Sequence, residues 1–255
     1  MAITLKSADE LSLMREAGRH VGEVLQILKD AVRPGVVVAD LDAIVREEYA
    51  KRGVTPTFLH YKAHPDQPPY PATVCISVND QIVHGVPGSR ALEPRDVVKL
   101  DVTAELDGYI ADAAITAVIP PVSHVAEKLV QSSQAAFERA FRIAKSGVRV
   151  SELGRQVETE VNRWGFAVIH DMCGHGVGRA LHEQPSVPNF FSPFTPGILS
   201  DGLVIALEPI ICESPTAVFE DDDGWTIRTE NGCLAAHYEH TIVIHEGRAE
   251  ILTAA

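Results

Sequence analysis

A predicted β-hairpin constrains the fold of this chain more than any other feature. The dipeptide Asp107-Gly108 separates two apolar-rich runs, 97–106 and 109–119. Asp-Gly between two such runs is a strong signal for a two-residue hairpin turn. We therefore expect two long antiparallel strands here, paired so that residue 106 faces residue 109.

Two aspartates of this hairpin are predicted to share one face. In the expected register Asp101 lies opposite Ala114 and Asp112 lies opposite Thr103, and alternate residues of a strand point the same way. The carboxylates are then diagonal neighbours, about 7–8 Å apart at the backbone. One interpretation is a pair of solvated strand acids. The surrounding Val, Leu, Ile and Ala predict a buried face instead, and because buried charges need partners the pattern favours a metal ion.

Further candidate ligands occur downstream in apolar or Gly-rich segments. His175 lies in GHGVG, Glu208 ends the apolar run LVIALE, and Glu239 lies in AHYEHTIVI. A single acid in such a run is more often a bulge or edge residue. Two Asp, two Glu and one His together suit two divalent ions, and two ions about 3.5–4 Å apart can activate water for hydrolysis.

Hydrolysis also needs a proton shuttle and a donor for the developing oxyanion. Glu208 is a candidate for the shuttle, while His182 and His84 are candidates for the donor. His84 follows the apolar pair Ile82-Val83, so a buried structural histidine is an equally good interpretation of that residue.

The chain contains an internal sequence repeat. Segment 35–53 aligns without a gap with segment 147–165, and the identical pairs are Gly35/Gly147, Val36/Val148, Val38/Val150, Leu41/Leu153, Val45/Val157, Glu48/Glu160 and Gly53/Gly165. Further along, the order His-Gly-Val, acid, acid occurs twice, with His84, Asp101, Asp112 and then with His175, Glu208, Glu239. Chance similarity between two helical segments is the alternative. We expect a single domain, 1–255, of two related halves at approximately 1–120 and 121–255.

Composition and charge argue against several classes of function. The 255 residues carry a formal net charge of −13, which argues against direct nucleic-acid binding because phosphate contacts need Lys and Arg. No apolar run reaches about 18 residues, and the N-terminus lacks a secretory signal pattern. The four cysteines, at 75, 173, 212 and 233, show no CxxC spacing. We therefore expect a cytoplasmic protein with reduced, buried thiols and no membrane span.

Local signals predict a mixture of helices and antiparallel strands, the α+β class. Ser7 with a Glu three residues later forms a capping-box pattern for a first helix, and a second helix is expected at 40–53. Segment 60–71, HYKAHPDQPPYP, is Pro-rich and predicts an irregular loop. Two later helices are predicted with N-caps at Ser123 and Ser151.

Five motifs together resemble one family. They are CISVND followed by His84-Gly-Val-Pro, KLDVTAELDGYIADAAIT, GHGVGRALHEQP, IALEPI, and GWTIRT with YEHTIVI. In these motifs, nearly from end to end, the chain is similar to the type I methionine aminopeptidases of bacteria, in the creatinase/aminopeptidase pita-bread family. The resemblance implies a pseudo-twofold fold with a central curved antiparallel sheet, flanked by helices from two related halves.

The resemblance also implies roles for individual residues. The metal ligands would be Asp101, Asp112, His175, Glu208 and Glu239. Glu208 would also be the general acid and base, His182 would bind the scissile carbonyl oxygen, and His84 would contact the peptide near the scissile bond. The pocket for the methionine side chain would be lined by Tyr70, Cys75 and Trp225, since a thiol and aromatic faces suit a thioether.

The function implied by the resemblance is metal-dependent removal of the initiator methionine from nascent polypeptides whose second residue is small. Two divalent ions would be bound per chain, with Mn, Fe, Co and Zn all left open. Nascent N-termini would be the partners of a monomeric cytoplasmic enzyme, and association with the ribosome is left open.

The chain departs from the family pattern at the rim of the pocket. Segment 60–71 is Pro-rich and longer where relatives carry Gly-Tyr-His-Gly, Gln67 falls where an aromatic residue is expected, and Leu181 falls where Phe is common.

The principal alternative to a methionine aminopeptidase is a proline-specific aminopeptidase or prolidase of the same fold, although those usually carry a further N-terminal domain. A dinucleotide-binding enzyme is a weaker alternative, because the third glycine of Gly174-x-Gly-x-Gly178 is misplaced for GxGxxG.

Overall fold

The computed structural model describes residues 3–254. In that range the chain forms four helices, α1 (Ala8–Ala31), α2 (Val38–Arg52), α3 (His124–Ile143) and α4 (Val150–Trp164). The strands of the same range are β1 (Thr55–Pro56), β2 (Cys75–Val78), β3 (Gln81–Val83), β4 (Val97–Leu106), β5 (Tyr109–Val118), β6 (Ala167–Val168), β7 (Cys173–Gly176), β8 (Glu183–Pro188), β9 (Val204–Leu207), β10 (Ile210–Cys212), β11 (Val218–Glu220), β12 (Ile227–Thr229), β13 (Ala235–His237), β14 (Glu239–Val243) and β15 (Glu250–Ile251). The predicted α+β class is confirmed.

One large antiparallel sheet organises the molecule. Its nine strands follow the order β1-β4-β5-β14-β9-β7-β8, with β2 also paired to β4 and β15 also paired to β14. Two smaller sheets of three strands each have the orders β13-β10-β6 and β11-β12-β3. Across residues 3–254, none of the helices combines the length and the apolar character that a membrane span requires.

The hairpin predicted from Asp107-Gly108 is confirmed. Strands β4 and β5 pair along their whole length, and the register is the predicted one, with Asp101 opposite Ala114 and Asp112 opposite Thr103. The two turn residues have positive φ values, 52° and 82°. Positive φ at both central residues is what a type I′ hairpin turn requires, which is why Asp-Gly is a reliable signal here.

Alternate residues of this hairpin lie on opposite faces of the sheet, one packed against the apolar core and the other carrying the two aspartates. Leu100, Val102 and Ala104 of β4 belong to a buried apolar cluster that includes residues of α1 and α2. Helix α1 packs on β4 and β5 and covers this face. Asp101 and Thr103, which alternate with the core residues, point to the opposite face. The carboxylates of the hairpin therefore lie on the side of the sheet away from α1.

Two of the predicted helix caps are confirmed. The Ser7 hydroxyl accepts a hydrogen bond from the Glu10 N–H, and the Glu10 carboxylate accepts one from the Ser7 N–H, so the capping box forms. Ser123 caps α3 through the N–H of Ala126. The segment 60–71 contains neither helix nor strand, as predicted.

The predicted cap at Ser151 is wrong. Helix α4 begins two residues earlier than this cap would place it, and its N-cap residue Arg149 makes no side-chain cap hydrogen bond. The N–H of Val150 donates to the carbonyl of Gly197 instead. A backbone contact with another segment sets this helix start, and Ser151 is 4% exposed within the first turn.

Helices α2 and α4, which contain the repeated segments, have matching surroundings. Both have 15 residues and both end at a glycine in the left-handed conformation. The N–H of Gly35 donates to the carbonyl of Leu92 before α2, and the N–H of Gly147 donates to the carbonyl of Leu199 before α4. These parallels support a common origin of the two segments.

The two largest apolar clusters are also divided between the halves. One buried cluster draws its residues from 17–119 and another draws its residues from 129–249. The large sheet nevertheless runs through both parts of the chain, because β5 pairs with β14. We propose on these grounds a single domain of two related halves, approximately 1–120 and 121–255.

The cysteines differ in exposure. All four are free thiols, and Cys75 and Cys212 are buried as predicted. The prediction is wrong for Cys173, which is exposed, and Cys233 is half-buried. Cys173 begins β7 and lies against the central cavity, so its thiol is not covered by the core.

Candidate active site

Five neighbouring strands of the large sheet bring the five predicted ligands together. These strands are consecutive in the sheet, in the order β4-β5-β14-β9-β7. In that order they contribute Asp101, Asp112, Glu239 at the start of β14, Glu208 directly after β9, and His175. Side chains that are far apart in the sequence therefore meet at the centre of one sheet.

Strand register explains why three of the acids converge. Ala114 of β5 pairs with Asp101 on one side and with Glu239 on the other. Asp101 and Glu239 thus lie in one row across the sheet, and Asp112, two residues from Ala114, points to the same face. Asp112 is also tied to β14, since its N–H donates to the Thr241 hydroxyl and that hydroxyl donates to the Asp112 carbonyl.

His175 is held with one ring nitrogen toward the acids. Its Nδ1 lies 2.9 Å from the carbonyl oxygen of Gly176, an acceptor that favours the proton on Nδ1. Its Nε2 lies 3.4 Å from Glu208 Oε1 and 3.9 Å from Asp112 Oδ2. A Cβ on Gly176 would lie 2.3 Å from the carbonyl oxygen of Gln184, so glycine is needed for this close approach of β7 and β8.

Burial and mutual repulsion make this acid cluster unfavourable without a cation. Asp101, Asp112, Glu208 and Glu239 are each 8% exposed or less. Burial is the main cause that raises the pKa of all four carboxyl groups, and the Glu239 carboxylate raises the pKa of the other three further. Each acid has one buried oxygen without a hydrogen-bond partner. Carboxylate oxygens in this state are suitable ligands for divalent cations, so the residues fit a metal centre.

Two sets of donor atoms lie close enough together to hold one ion each. The donor atoms of Asp112, His175 and Glu239 all lie within 4.8 Å of one another, and so do those of Asp101, His237 and Glu239. His237 was not predicted from the sequence. It lies two residues before Glu239, and this proximity to a candidate ligand was a signal that could have identified it.

The predicted methionine-pocket residues line a cavity beside the acids. The rings of Tyr70 and Trp225 meet edge to face, with 5.1 Å between their centroids. Their polar atoms are satisfied by backbone carbonyls at 2.8 Å, which leaves the ring faces as the apolar wall. Cys75 pairs with Asp101 between β2 and β4, so its buried thiol points to the same side of the sheet.

His84 and His182 line the same cavity. His84 has φ 57°, an uncommon value for a residue other than glycine. Burial lowers the pKa of His84 to about 4 and also lowers the pKa of His182. Both rings are therefore neutral at pH 7, a state in which each imidazole offers one N–H donor and one acceptor. His182 contacts His175, with 4.3 Å between the ring centroids.

The irregular segment 60–71 contributes a residue that was not predicted. Tyr61 Oη lies 2.6 Å from His182 Nδ1, and the Tyr61 ring centroid lies 6.3 Å from that of Trp225. Gln67, at the position where an aromatic residue was expected, instead donates from Nε2 to the carbonyl of Gly224. Tyr61 thus supplies an aromatic ring at the rim, and no spacing in the Pro-rich segment identifies it beforehand.

Comparisons with known proteins agree with this geometry. Residues 12–246 match the family described as Metallopeptidase family M24. The chain is 40% identical to the methionine aminopeptidase of Clostridium perfringens over 98% of each chain. It is 34% identical to the methionine aminopeptidase of Escherichia coli, over 99% of this chain and 94% of that one.

The fold of the chain is also similar to solved structures of methionine aminopeptidases. The crystal structure of methionine aminopeptidase from Thermotoga maritima superposes with a TM-score of 0.94 at 35% identity, over 100% of both chains. A prolidase from Pyrococcus furiosus superposes with a TM-score of 0.79 at 21% identity, over 98% of this chain and 65% of that one, which shows a shared fold alone. The pita-bread fold implied by the sequence resemblance is confirmed. The chain therefore belongs to metallopeptidase family M24, alongside the methionine aminopeptidases of bacteria.

Proposed function

We propose that this protein removes the initiator methionine from nascent polypeptides whose second residue is small, by metal-dependent hydrolysis of the first peptide bond. The observation that carries the proposal is the convergence of four buried acids and one imidazole beside an aromatic cavity. The relatives that match nearly the whole chain are named methionine aminopeptidases, which supports this substrate class.

The metal ligands in this proposal are Asp101, Asp112, His175, Glu208 and Glu239, and they would hold two divalent ions per chain. Carboxylate oxygens with an imidazole nitrogen form a mixed donor set, which suits Mn, Fe, Co or Zn, so the identity of the ions is left open. When bound, such ions act as Lewis acids and lower the pKa of water toward neutrality. The four carboxylates offset the charge of the ions.

Glu208 has the proton-transfer role in this proposal. Its Oε1 is buried without a hydrogen-bond partner and lies 3.4 Å from His175 Nε2. Its backbone carbonyl accepts a hydrogen bond from Asn189 Nδ2, which holds the chain directly after β9. In this proposal the Glu208 carboxylate would take a proton from the attacking water and deliver it to the leaving amine.

His182 has the role of oxyanion donor. If the Tyr61 hydroxyl donates to Nδ1 of the neutral ring, the ring proton lies on Nε2, where it is available to the scissile carbonyl oxygen. Donation from a group held in a fixed position stabilises the developing negative charge. His84, which is neutral for the same reason, contacts the peptide near the scissile bond in this proposal.

The substrate side chain would bind against Tyr70, Cys75 and Trp225. Contacts between sulfur and an aromatic ring contribute about 0.3–1.5 kcal/mol each, which favours an unbranched thioether in this pocket. Beyond the scissile bond, the imidazoles that line the cavity restrict the next residue to Gly, Ala, Ser, Cys, Thr, Val or Pro. A larger side chain would displace the carbonyl, and a misplacement of about 1 Å costs about 10²-fold in rate.

The proposed setting is a cytoplasmic monomer that acts on nascent N-termini. The formal charge of −13 supports a mode of action without direct nucleic-acid contact. Association with the ribosome is left open. A sedimentation experiment at micromolar concentration tests the monomer, and a dimer would contradict it.

Peptide specificity tests the proposed function. The purified metal-loaded protein is assayed on Met-Ala-Ser, Met-Leu-Ser and Leu-Ala-Ser, with Ala-Pro added because prolidases share the fold. We expect hydrolysis of Met-Ala-Ser, with the other two tripeptides slower by about 10²-fold. Equal rates on Met-Ala-Ser and Met-Leu-Ser would refute the steric restriction. Preference for Leu-Ala-Ser would refute the methionine pocket, and preference for Ala-Pro would favour the proline-specific alternative.

A further inference from the structure

A second buried imidazole lies beside the acid cluster, and none of the roles assigned above uses it. His237 ends β13 and is 2% exposed. Both of its ring nitrogens, Nδ1 and Nε2, are buried without a hydrogen-bond partner. A buried imidazole whose two nitrogens are both unpaired is costly, so its position requires an explanation.

The backbone of His237 is held firmly in place. Its N–H donates to the hydroxyl of Thr116 at 2.9 Å, and the same hydroxyl donates to the His237 carbonyl at 2.8 Å. His237 also pairs with Ile210 in the small sheet of β13, β10 and β6. These contacts fix the position of the His237 backbone at the end of β13, beside the acids.

The ring faces two carboxylates at distances that suit a shared ion. His237 Nε2 lies 3.2 Å from Glu239 Oε2 and 3.7 Å from Glu208 Oε2. Two atoms that bind one ion at about 2.0–2.2 Å each are about 3–3.6 Å apart in tetrahedral or octahedral geometry. The Glu239 contact is within this range, yet its direction does not make a hydrogen bond.

We infer that His237 is a sixth protein ligand, which binds the ion held by Asp101 and Glu239, while His175 binds the ion held by Asp112, Glu208 and Glu239. The inference rests on the proposed metal centre. It gives each ion one nitrogen ligand, where the five-ligand arrangement leaves one ion with carboxylates alone. Because imidazole favours Zn, Co and Fe over Mg and Mn, His237 makes the Asp101 side of the centre selective for the former ions.

The direct test observes histidine rings in the full chain. Protein labelled with ¹⁵N at histidine is freed of metal with a chelator and titrated with Zn²⁺, and the ring nitrogens are followed by two-bond ¹H–¹⁵N correlation. We expect two imidazoles to reach the metal-bound shift range, one with each equivalent of Zn²⁺. The resonances are assigned with His237→Gln and with the control His240→Gln.

His240 is a matched control because it is a half-buried histidine of the neighbouring strand β14 whose nitrogens are already satisfied. Its Nδ1 lies 2.8 Å from the Thr253 hydroxyl, and its Nε2 lies 3.2 Å from the Tyr238 hydroxyl. His240→Gln should keep both metal-bound imidazoles. His237→Gln should keep only one, and its affinity for the second Zn²⁺ in equilibrium dialysis should fall about 10–100-fold. Its preference for Zn²⁺ over Mn²⁺ at that site should fall as well.

The outcomes separate this inference from the proposed function. If wild-type protein binds two Zn²⁺ ions with a single metal-bound imidazole, His237 is not a ligand, and the metal centre still stands. Unchanged affinity for the second ion in folded His237→Gln also overturns the inference. If the protein binds no Zn²⁺, both the inference and the proposed metal centre are wrong. The wild-type titration decides the matter even if His237→Gln does not fold.

Discussion

The floor of the candidate site is built from paired strands, whereas its rim includes an irregular segment. The floor consists of β4, β5, β14, β9 and β7, whose hydrogen-bonded register positions four of the predicted metal ligands, while the fifth, Glu208, follows β9 directly. The rim includes the irregular segment 60–71, which is held by individual contacts such as the hydrogen bond from Gln67 to Gly224. The hydrogen bonds between paired strands fix the positions of many side chains together, whereas the position of each side chain in an irregular segment depends on its own contacts.

This difference predicts two kinds of variant. Changes in the floor should remove metal, and with it activity, because several buried carboxylates share the ions. Changes at the rim and around the non-ligand histidines should leave the metal in place and alter turnover or affinity for substrate. Measurement of bound metal together with kcat and KM distinguishes the two regions.

The largest effect is expected for Asp101→Asn or Asp112→Asn in the floor. Asparagine keeps the shape of the side chain but removes the negative charge, so we expect metal affinity to fall by at least about 10²-fold and hydrolysis to be abolished. Asp107→Asn is the matched control, because Asp107 is exposed in the same hairpin and asparagine tolerates its positive φ. Activity near that of the wild type with unchanged metal content would end the assignment of these two ligands.

Glu208→Gln and His182→Ala should differ in kind. Glu208→Gln should lower both metal content and turnover, since it removes a ligand and the proton shuttle. His182→Ala should retain the metal while kcat falls about 10²–10³-fold, the usual loss for an oxyanion donor. Bound metal is measured on the same samples as kcat. If His182→Ala releases the metal, His182 is a ligand, and its proposed role is wrong.

Removal of metal should destabilise the fold in a pH-dependent way. An ion whose free concentration is 100 times its Kd contributes about 2.7 kcal/mol to the free energy of unfolding. In the metal-free protein, burial raises the pKa of the floor carboxyls above the unfolded values near 4. Buried histidines whose pKa is lowered act in the opposite direction below about pH 6.5, where the unfolded rings are charged. Above that pH the histidines are neutral in both states while the folded carboxyls still hold protons, so the stability of the metal-free protein should fall as pH rises from about 6.5 to 8. Denaturant unfolding of both forms at several pH values checks this, and a metal-free protein whose stability rises over that range would contradict it.

The smallest effect is expected for Tyr61→Phe at the rim. Loss of the hydroxyl that contacts His182 Nδ1 removes one hydrogen bond, worth about 0.5–1.5 kcal/mol. We expect kcat to fall about two- to tenfold with metal content unchanged. Tyr238→Phe is the control, since it breaks a Tyr–His contact outside the cavity. A larger loss for Tyr238→Phe, or loss of metal in Tyr61→Phe, would show that the rim does not act separately from the floor.

The comparison of floor and rim also explains what the sequence could predict. The shared face of Asp101 and Asp112 follows from hairpin periodicity, and the structure has that register. The position of Glu239 beside Ala114 needs the pairing of β5 with β14, which no local pattern specifies. The assignment of Glu239 as a ligand therefore depended on the repeat and on the family resemblance.

The failures have physical causes of the same kind. Ser151 matched the composition of a helix cap, but the helix starts two residues earlier, where the N–H of Val150 makes a long-range hydrogen bond to Gly197. Tyr61 was missed because a Pro-rich loop has no periodicity from which a side-chain direction can be inferred. His237 was missed because its role depends on a strand from a second sheet, although it lies only two residues from Glu239.

One measurement tests the central claim most directly. Wild-type protein is freed of metal with a chelator, and a divalent ion is added back in steps while bound metal and hydrolysis of Met-Ala-Ser are recorded on the same samples. We predict no hydrolysis without metal, activity that rises with occupancy, and in Asp101→Asn a weakened binding of the ion that Asp101 holds together with loss of activity. Full hydrolysis by the metal-free protein, or activity that does not follow occupancy, would contradict the account.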